Sequence, residues 1–142
     1  MNNDAVYEMG LRLWIDWTVM WNGKPELARS LVADTFALHL PTPGALDQET
    51  IGTPEAVERW VTSHRASFVR LSFETHCGPF VDTKRQVVAG PWVAHASMDG
   101  SPRVVCGMDT LAFRDGKIIE YWTLSKEADV FGRWPTGILV RP

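Results

Sequence analysis

Between Asp4 and Trp21 apolar side chains recur at helical spacing. Val6, Met9, Leu13, Trp17 and Met20 form one row, Tyr7, Trp14 and Trp21 lie beside it, and Glu8, Arg12 and Asp16 take the opposite face. The pattern predicts a long amphipathic helix, capped by Asn3 or Asp4, that lays a broad aromatic stripe on a large apolar surface. "NGKP" ends it: Gly23 suits a left-handed C-terminal cap and Pro25 opens a second, short helix to about Ala33. "DTFALHLP" then alternates, with Phe36, Leu38 and Leu40 on one side and Ala37 and His39 on the other, as a short strand stopped by Pro41. From Pro41 to Gly52 there is no period and the stretch is rich in Pro, Gly and polar residues, which reads as a loop long enough to be a rim or a lid. Thr53 and Pro54 start a third helix with Val57, Trp60, Val61 and His64 as its stripe.

The remainder is strand-like. Val69 to Cys77, Gln86 to Met98, Arg103 to Arg114 and Lys117 to Ser125 are rich in β-formers, with "MDGSP" and "RDGK" as the turns between the last three. Asp115-Gly116 suits a type I′ turn, which needs positive φ at both central positions. Three helices followed by a strand meander indicate an α+β fold, one antiparallel sheet covered on one face by the long helix. Pro91 removes a ladder donor, so "GPW" marks a bulge or an edge. The tail from 128 to 142 carries Trp134, Ile138, Leu139 and Val140 without a clear period, and reads as a cover for the pocket or for a partner subunit.

Composition narrows the function classes. A chain of 142 residues with 45% hydrophobic content suits one domain with one core. Net charge −3, with Lys and Arg scattered, offers no electrostatic footprint for nucleic acid. No apolar run approaches membrane-spanning length, the start lacks a signal-peptide pattern, and Cys77 and Cys106 stand apart without a CxxC, so the expectation is a cytoplasmic protein with reduced thiols. The four histidines lack metal-ligand spacing, and neither a phosphate-cradling glycine loop nor a GxSxG elbow is present, so no metal or nucleotide cofactor is expected. Seven tryptophans fit a core, an interface or a pocket wall, since each has a large apolar body and one N–H that wants a partner.

Two stretches resemble a known family. "GMDTLAFRDGKIIEYW", residues 107 to 122, and "LVADTFALHLPTP" followed by "IGTPEAVERWV" are similar, in order and spacing, to the SnoaL-like polyketide cyclase branch of the nuclear transport factor 2-like superfamily. The resemblance covers nearly the whole chain. It implies a cone: a curved sheet wrapped around a pocket and closed by the long first helix. It also implies a hydrophobic small-molecule ligand and a homodimer formed through the outer sheet face. Members range from isomerases, dehydratases and cyclases to proteins that only bind, so the fold alone leaves the activity open.

Asp109 lies in an otherwise apolar strand, on the side shared by Val105, Gly107, Leu111 and Phe113. In an aromatic pocket it would be desolvated and serve as a general acid or base near neutrality, as carboxylates do in the superfamily's ketosteroid isomerases; at a sheet surface it would instead pair with Arg103. His39 faces away from its apolar neighbours, and the resemblance places it at the pocket rim as a proton-shuttle partner for Asp109; the alternative is a structural histidine bonded to a loop. Trp92 is a wall candidate and His95 a weaker one, because their odd spacing sets them on opposite faces unless "GPW" is a bulge. On the last strand, strict alternation groups Ile118, Glu120, Trp122, Leu124 and Lys126. The resemblance turns that side inward, with Trp122 and Glu120 at the cavity, Tyr121 away from it, and Trp14 and Trp17 facing them from the first helix. Core filling is the other account of each Trp. Relatives often carry an acid two or four residues after this Trp, whereas here stand Leu124 and Lys126. The expectation is therefore a cofactor-independent cyclase or isomerase with a shaped aromatic pocket and one main carboxylate; a binding or dimerising module of the same fold is the alternative.

Overall fold

The computed structural model describes residues 2–40 and 50–127. Helix α1 runs Asn3–Trp21, a short 3-10 turn covers Pro25–Leu27, and α2 Ala28–Leu31 leads into strand β1, Val32–His39. After α3, Pro54–Ala66, come β2 Arg70–Thr75, β3 Phe80–Asp82, β4 Val87–Ser97, β5 Pro102–Arg114 and β6 Lys117–Glu127. This is the expected α+β order, with one short strand, β3, that the pattern did not show. The expected tail cover and most of the loop after Pro41 lie outside the described residues.

Local signals hold at the helix ends with one shift. Asn2, rather than Asn3 or Asp4, caps α1, its Oδ1 accepting from Ala5 N at 2.8 Å. Thr53 caps α3 through Ala56 N at 3.2 Å, with Pro54 at the first position. The second helix is shorter than expected, since Val32 is already extended and opens β1. Within α1, Val6, Leu13, Trp14, Trp17, Met20 and Trp21 are buried as the periodicity required, whereas Tyr7 faces solvent at the first turn.

The sheet order is β1-β6-β5-β4-β2, and β3 extends the β2 edge along β4. Neighbours are antiparallel except β1, which runs parallel to β6. Pro91 sits where the edge breaks between β2, paired with residues 92–97, and β3, paired with 87–89, so its missing ladder donor interrupts nothing. Asp115 and Gly116 both take positive φ, 49° and 74°, giving the expected tight turn between β5 and β6.

Beyond that turn the ladder is irregular. Phe113 pairs with Ile118 but Ala112 pairs with Glu120, so Ile119 is an extra residue, a β-bulge, in β6. One inserted residue reverses the faces of everything after it. Ile118 and Tyr121 consequently share the concave face, where both are buried with Leu13, Val57, Val88, Leu111 and Phe113 in the main core. Helix α1 crosses that concave face against β2, β3 and β4, and the sheet curves around the space left between them.

Candidate active site

The space is a cavity of about 230 Å³, lined from α1 by Trp14, Trp17, Thr18 and Trp21, from α3 by Trp60 and His64, from β1's end by Leu40, and from the sheet by Phe73, Thr75, Trp92, Asp109, Tyr121, Thr123 and Ser125. Half of these lining residues are Trp, Phe or Tyr, which suits a site for an apolar small molecule. Its polar centre is Asp109.

Asp109 is placed by register. It stands between Gly90 on β4 and Thr123 on β6, one step inward from the pair Gly107–Trp92. It is only 6% exposed. Three neutral donors converge on it: Trp92 Nε1 donates to Oδ1 at 2.8 Å, the Tyr121 hydroxyl donates to Oδ1 at 3.0 Å, and Trp17 Nε1 donates to Oδ2 at 3.3 Å. Burial penalises the carboxylate's charge more than these donors and Thr123 stabilise it, and the pKa rises from 3.8 to about 6. Burial, and then the neighbouring Asp109 charge, hold the Tyr121 phenol well above its usual 10. His64 is pushed below 6.5 by burial and by Arg65 beside it.

The Trp92 donor depends on an absent side chain. Its indole lies over Gly107, where an added Cβ would come within 2.1 Å of the ring. Any other residue there would displace the ring, and with it a hydrogen bond to Asp109. Trp14 likewise packs its benzo edge over Gly90, 3.0 Å from where a Cβ would sit. Trp17 meets Tyr121 edge to face at 4.8 Å, and Trp21 stands perpendicular to Trp60 at 5.0 Å. Among the described residues, the buried indole N–H groups of Trp14 and Trp21 have no hydrogen-bond acceptor.

Of the residues expected at the site, the structure brings together Asp109, Trp14, Trp17 and Trp92. It separates the others. Trp122, Glu120 and His39 lie on the convex face: His39 stacks on Trp122 with centroids 5.0 Å apart and 11° between planes, and its Nε2 is 2.7 Å from Glu120 Oε1. The proposed pairing of His39 with Asp109 is thereby corrected, and the bulge at Ile119 is the reason Trp122 and Glu120 face outward. His95 is exposed and 3.8 Å from Glu74, also outside the cavity. Tyr121, expected to point away, is the residue the alternation missed. The missing acid at Leu124 and Lys126 loses its weight here, because the cavity-facing positions of this strand are Thr123 and Ser125.

Residues 11–121 match the SnoaL-like domain, and the chain belongs to that family. No curated protein gave a significant sequence match. Among solved structures, IdmH from Streptomyces antibioticus, a candidate polyketide cyclase, is 23% identical with a TM-score of 0.67, covering 82% of this chain and 91% of IdmH. A candidate isomerase from Bacillus subtilis is 15% identical with a TM-score of 0.71, covering 89% of this chain and 90% of its own. A protein of ketosteroid isomerase-like fold from Catenulispora acidiphila, solved with trimethylamine, is 17% identical with a TM-score of 0.62, covering 79% and 83%. These likenesses establish the nuclear transport factor 2-like fold. Among the described residues no helix is long and apolar enough to cross a membrane, and no group of three metal-ligating side chains is gathered.

Proposed function

We propose that the protein is a cofactor-independent cyclase or isomerase that moves a proton on a hydrophobic, polyketide-like or polycyclic substrate, with Asp109 as general acid and base. One observation carries this: the one carboxylate among the described cavity residues has a pKa of about 6, close to working pH, where it both accepts and returns a proton. Family membership and the candidate cyclase among the structural relatives support the reaction class. Tyr121 takes the partner role first given to His39: its hydroxyl donates to Oδ1 and, with Trp92, holds the carboxylate's orientation. The aromatic walls confine the substrate in a reactive conformer.

The test needs no knowledge of the natural substrate. A panel of fused-ring ketones and β-dicarbonyl compounds is incubated with the protein in D2O, and exchange of the proton α to the carbonyl is followed by NMR. Enzyme-dependent exchange is expected, and Asp109→Asn should slow it by about 100-fold or more. Binding seen by Trp quenching, with exchange equal in the two proteins, would leave a ligand-binding module as the correct reading. The exposed Trp122 and Leu124 on the convex face support a homodimer, which sedimentation equilibrium would test.

A further inference from the structure

We propose that this cavity recognises a small hydrophobic cation of the methylated ammonium class, held by electron-rich aromatic walls around the Asp109 carboxylate. The inference deepens the reading above by naming a charge on the ligand, and it rests on that reading's cavity.

The first support is a charge without a counter-charge. Among the described residues that line the cavity, Asp109 is the only acid, and none is Lys or Arg. Among the described residues every side chain bonded to it, Trp17, Trp92, Tyr121 and Thr123, is neutral. A buried anion satisfied in hydrogen bonds but not in charge favours whatever cation reaches it.

The second support is the chemistry of the donors. An indole or phenol that donates to an anion takes part of the charge into its π system, so Trp17, Trp92 and Tyr121 carry Asp109's negative potential into the cavity wall. Trp14, Trp21 and Trp60 extend the aromatic lining. Rings of this kind attract a cation through the quadrupole of the face, most strongly when water is excluded.

The third support decides between types of cation. Asp109's Oδ1 already accepts two bonds and Oδ2 a third, so an ammonium that must donate several strong hydrogen bonds finds few acceptor positions open, although Oδ2 keeps room for a single proton. A methylated ammonium needs no such bond: its charge is spread over apolar surface that packs on rings. It therefore satisfies the carboxylate's charge and the aromatic walls together.

Choline and its neutral isostere 3,3-dimethylbutan-1-ol differ in one atom and one charge, which makes them the test pair. Both are titrated at pH 7.5 by Trp fluorescence and calorimetry, with the neutral bicyclic ketone α-tetralone in parallel. Choline is expected to bind at least about tenfold tighter than its isostere. The preference should vanish in Asp109→Asn and fall by about threefold in Trp92→Phe, which keeps a ring but loses the N–H. It should also vanish by pH 5: Asp109 is neutral below about 6, while His64, the only basic side chain among the described cavity residues, becomes cationic in the acid range and repels the ligand. Tyr121, the remaining titratable lining group, stays neutral throughout. Equal or weaker binding of choline overturns the inference. If α-tetralone still binds, the apolar-substrate reading survives that failure. If choline alone binds, that reading falls and the cation site stands, and if nothing binds both fall. Thermal melts of each variant establish that it is folded, and the pH arm repeats the charge test on the unmutated protein.

Discussion

On each face of strand β6 an aromatic side chain stands beside an acid, and the two arrangements do different things. On the concave face Tyr121, Thr123 and Ser125 line a cavity, and the Tyr121 hydroxyl is committed to a carboxylate that is almost wholly buried. On the convex face Glu120 meets His39 under a stacked Trp122, a pair with about the same donor–acceptor distance but with both side chains in partial contact with water. Water is the difference. On the concave side desolvation lifts Asp109 toward neutral pH, whereas a hydrogen-bonded pair in contact with water is screened and contributes little. Chemistry on this fold follows burial and not the presence of an acid beside an aromatic.

The largest effect that would sharpen the contrast is in the pH dependence of stability. Asp109's pKa is raised from 3.8 to about 6, so the native state holds a proton that the unfolded chain releases over that interval. Stability from this group is full below about pH 4, falls as pH rises, and stays lost above about 6. That rise in pKa corresponds to about 3 kcal/mol at pH 8. His64 runs the other way, since its lowered pKa favours the fold above 6.5 and costs stability as the pH falls. Urea unfolding of Asp109→Asn from pH 4 to pH 8 isolates the carboxylate: the variant should gain on the parent as pH rises. A constant difference would show that Asp109 keeps an ordinary pKa.

Next comes Gly107→Ala, which should lose about 2–3 kcal/mol, because Trp92 occupies the space of the new methyl group. Adding Trp92→Ala should recover part of that loss, and a double-mutant cycle in denaturant reads it. Additive losses would mean that the contact does not position the ring. Tyr121→Phe removes one donor to a buried carboxylate and should cost about 1.5–2 kcal/mol at pH 8, with a smaller loss at pH 4 once Asp109 is protonated. The α-proton exchange rate should then show its acidic break above about 6, since a donor that favours the charged form is gone. The smallest effect belongs to the convex face. His39→Ala should change stability by about 0.5 kcal/mol or less and leave ligand binding unaltered. A large loss of exchange in that variant would restore His39 to the chemistry.

Much of this was legible because it is local. Periodicity in α1 names the aromatic stripe, Thr53 and Pro54 name the start of α3, and Asp115-Gly116 names the hairpin turn, each from residues within a few positions of one another. Asp109 was legible as an acid in an apolar alternation on one strand. Tyr121 and Trp122 were not. Their faces depend on counting from the turn, and the bulge at Ile119 adds one to the count. Nothing in "GKIIEYW" announces which residue is left unpaired, because a bulge is chosen by how β6 must bend to pack against β1 and β5 together.

By itself, then, the sequence determined the element order, the turn that joins β5 to β6, the aromatic face of the first helix and the identity of the one acid embedded among apolar residues. These follow from short-range sterics, hydrogen bonding and the period of burial. Only the tertiary structure decided that Asp109 takes three neutral donors from three different elements, that Trp92 lies on the bare backbone of Gly107, and that Tyr121 rather than Trp122 enters the cavity. Those outcomes depend on register between strands far apart in the chain, and one inserted residue is enough to turn a side chain from water into the core.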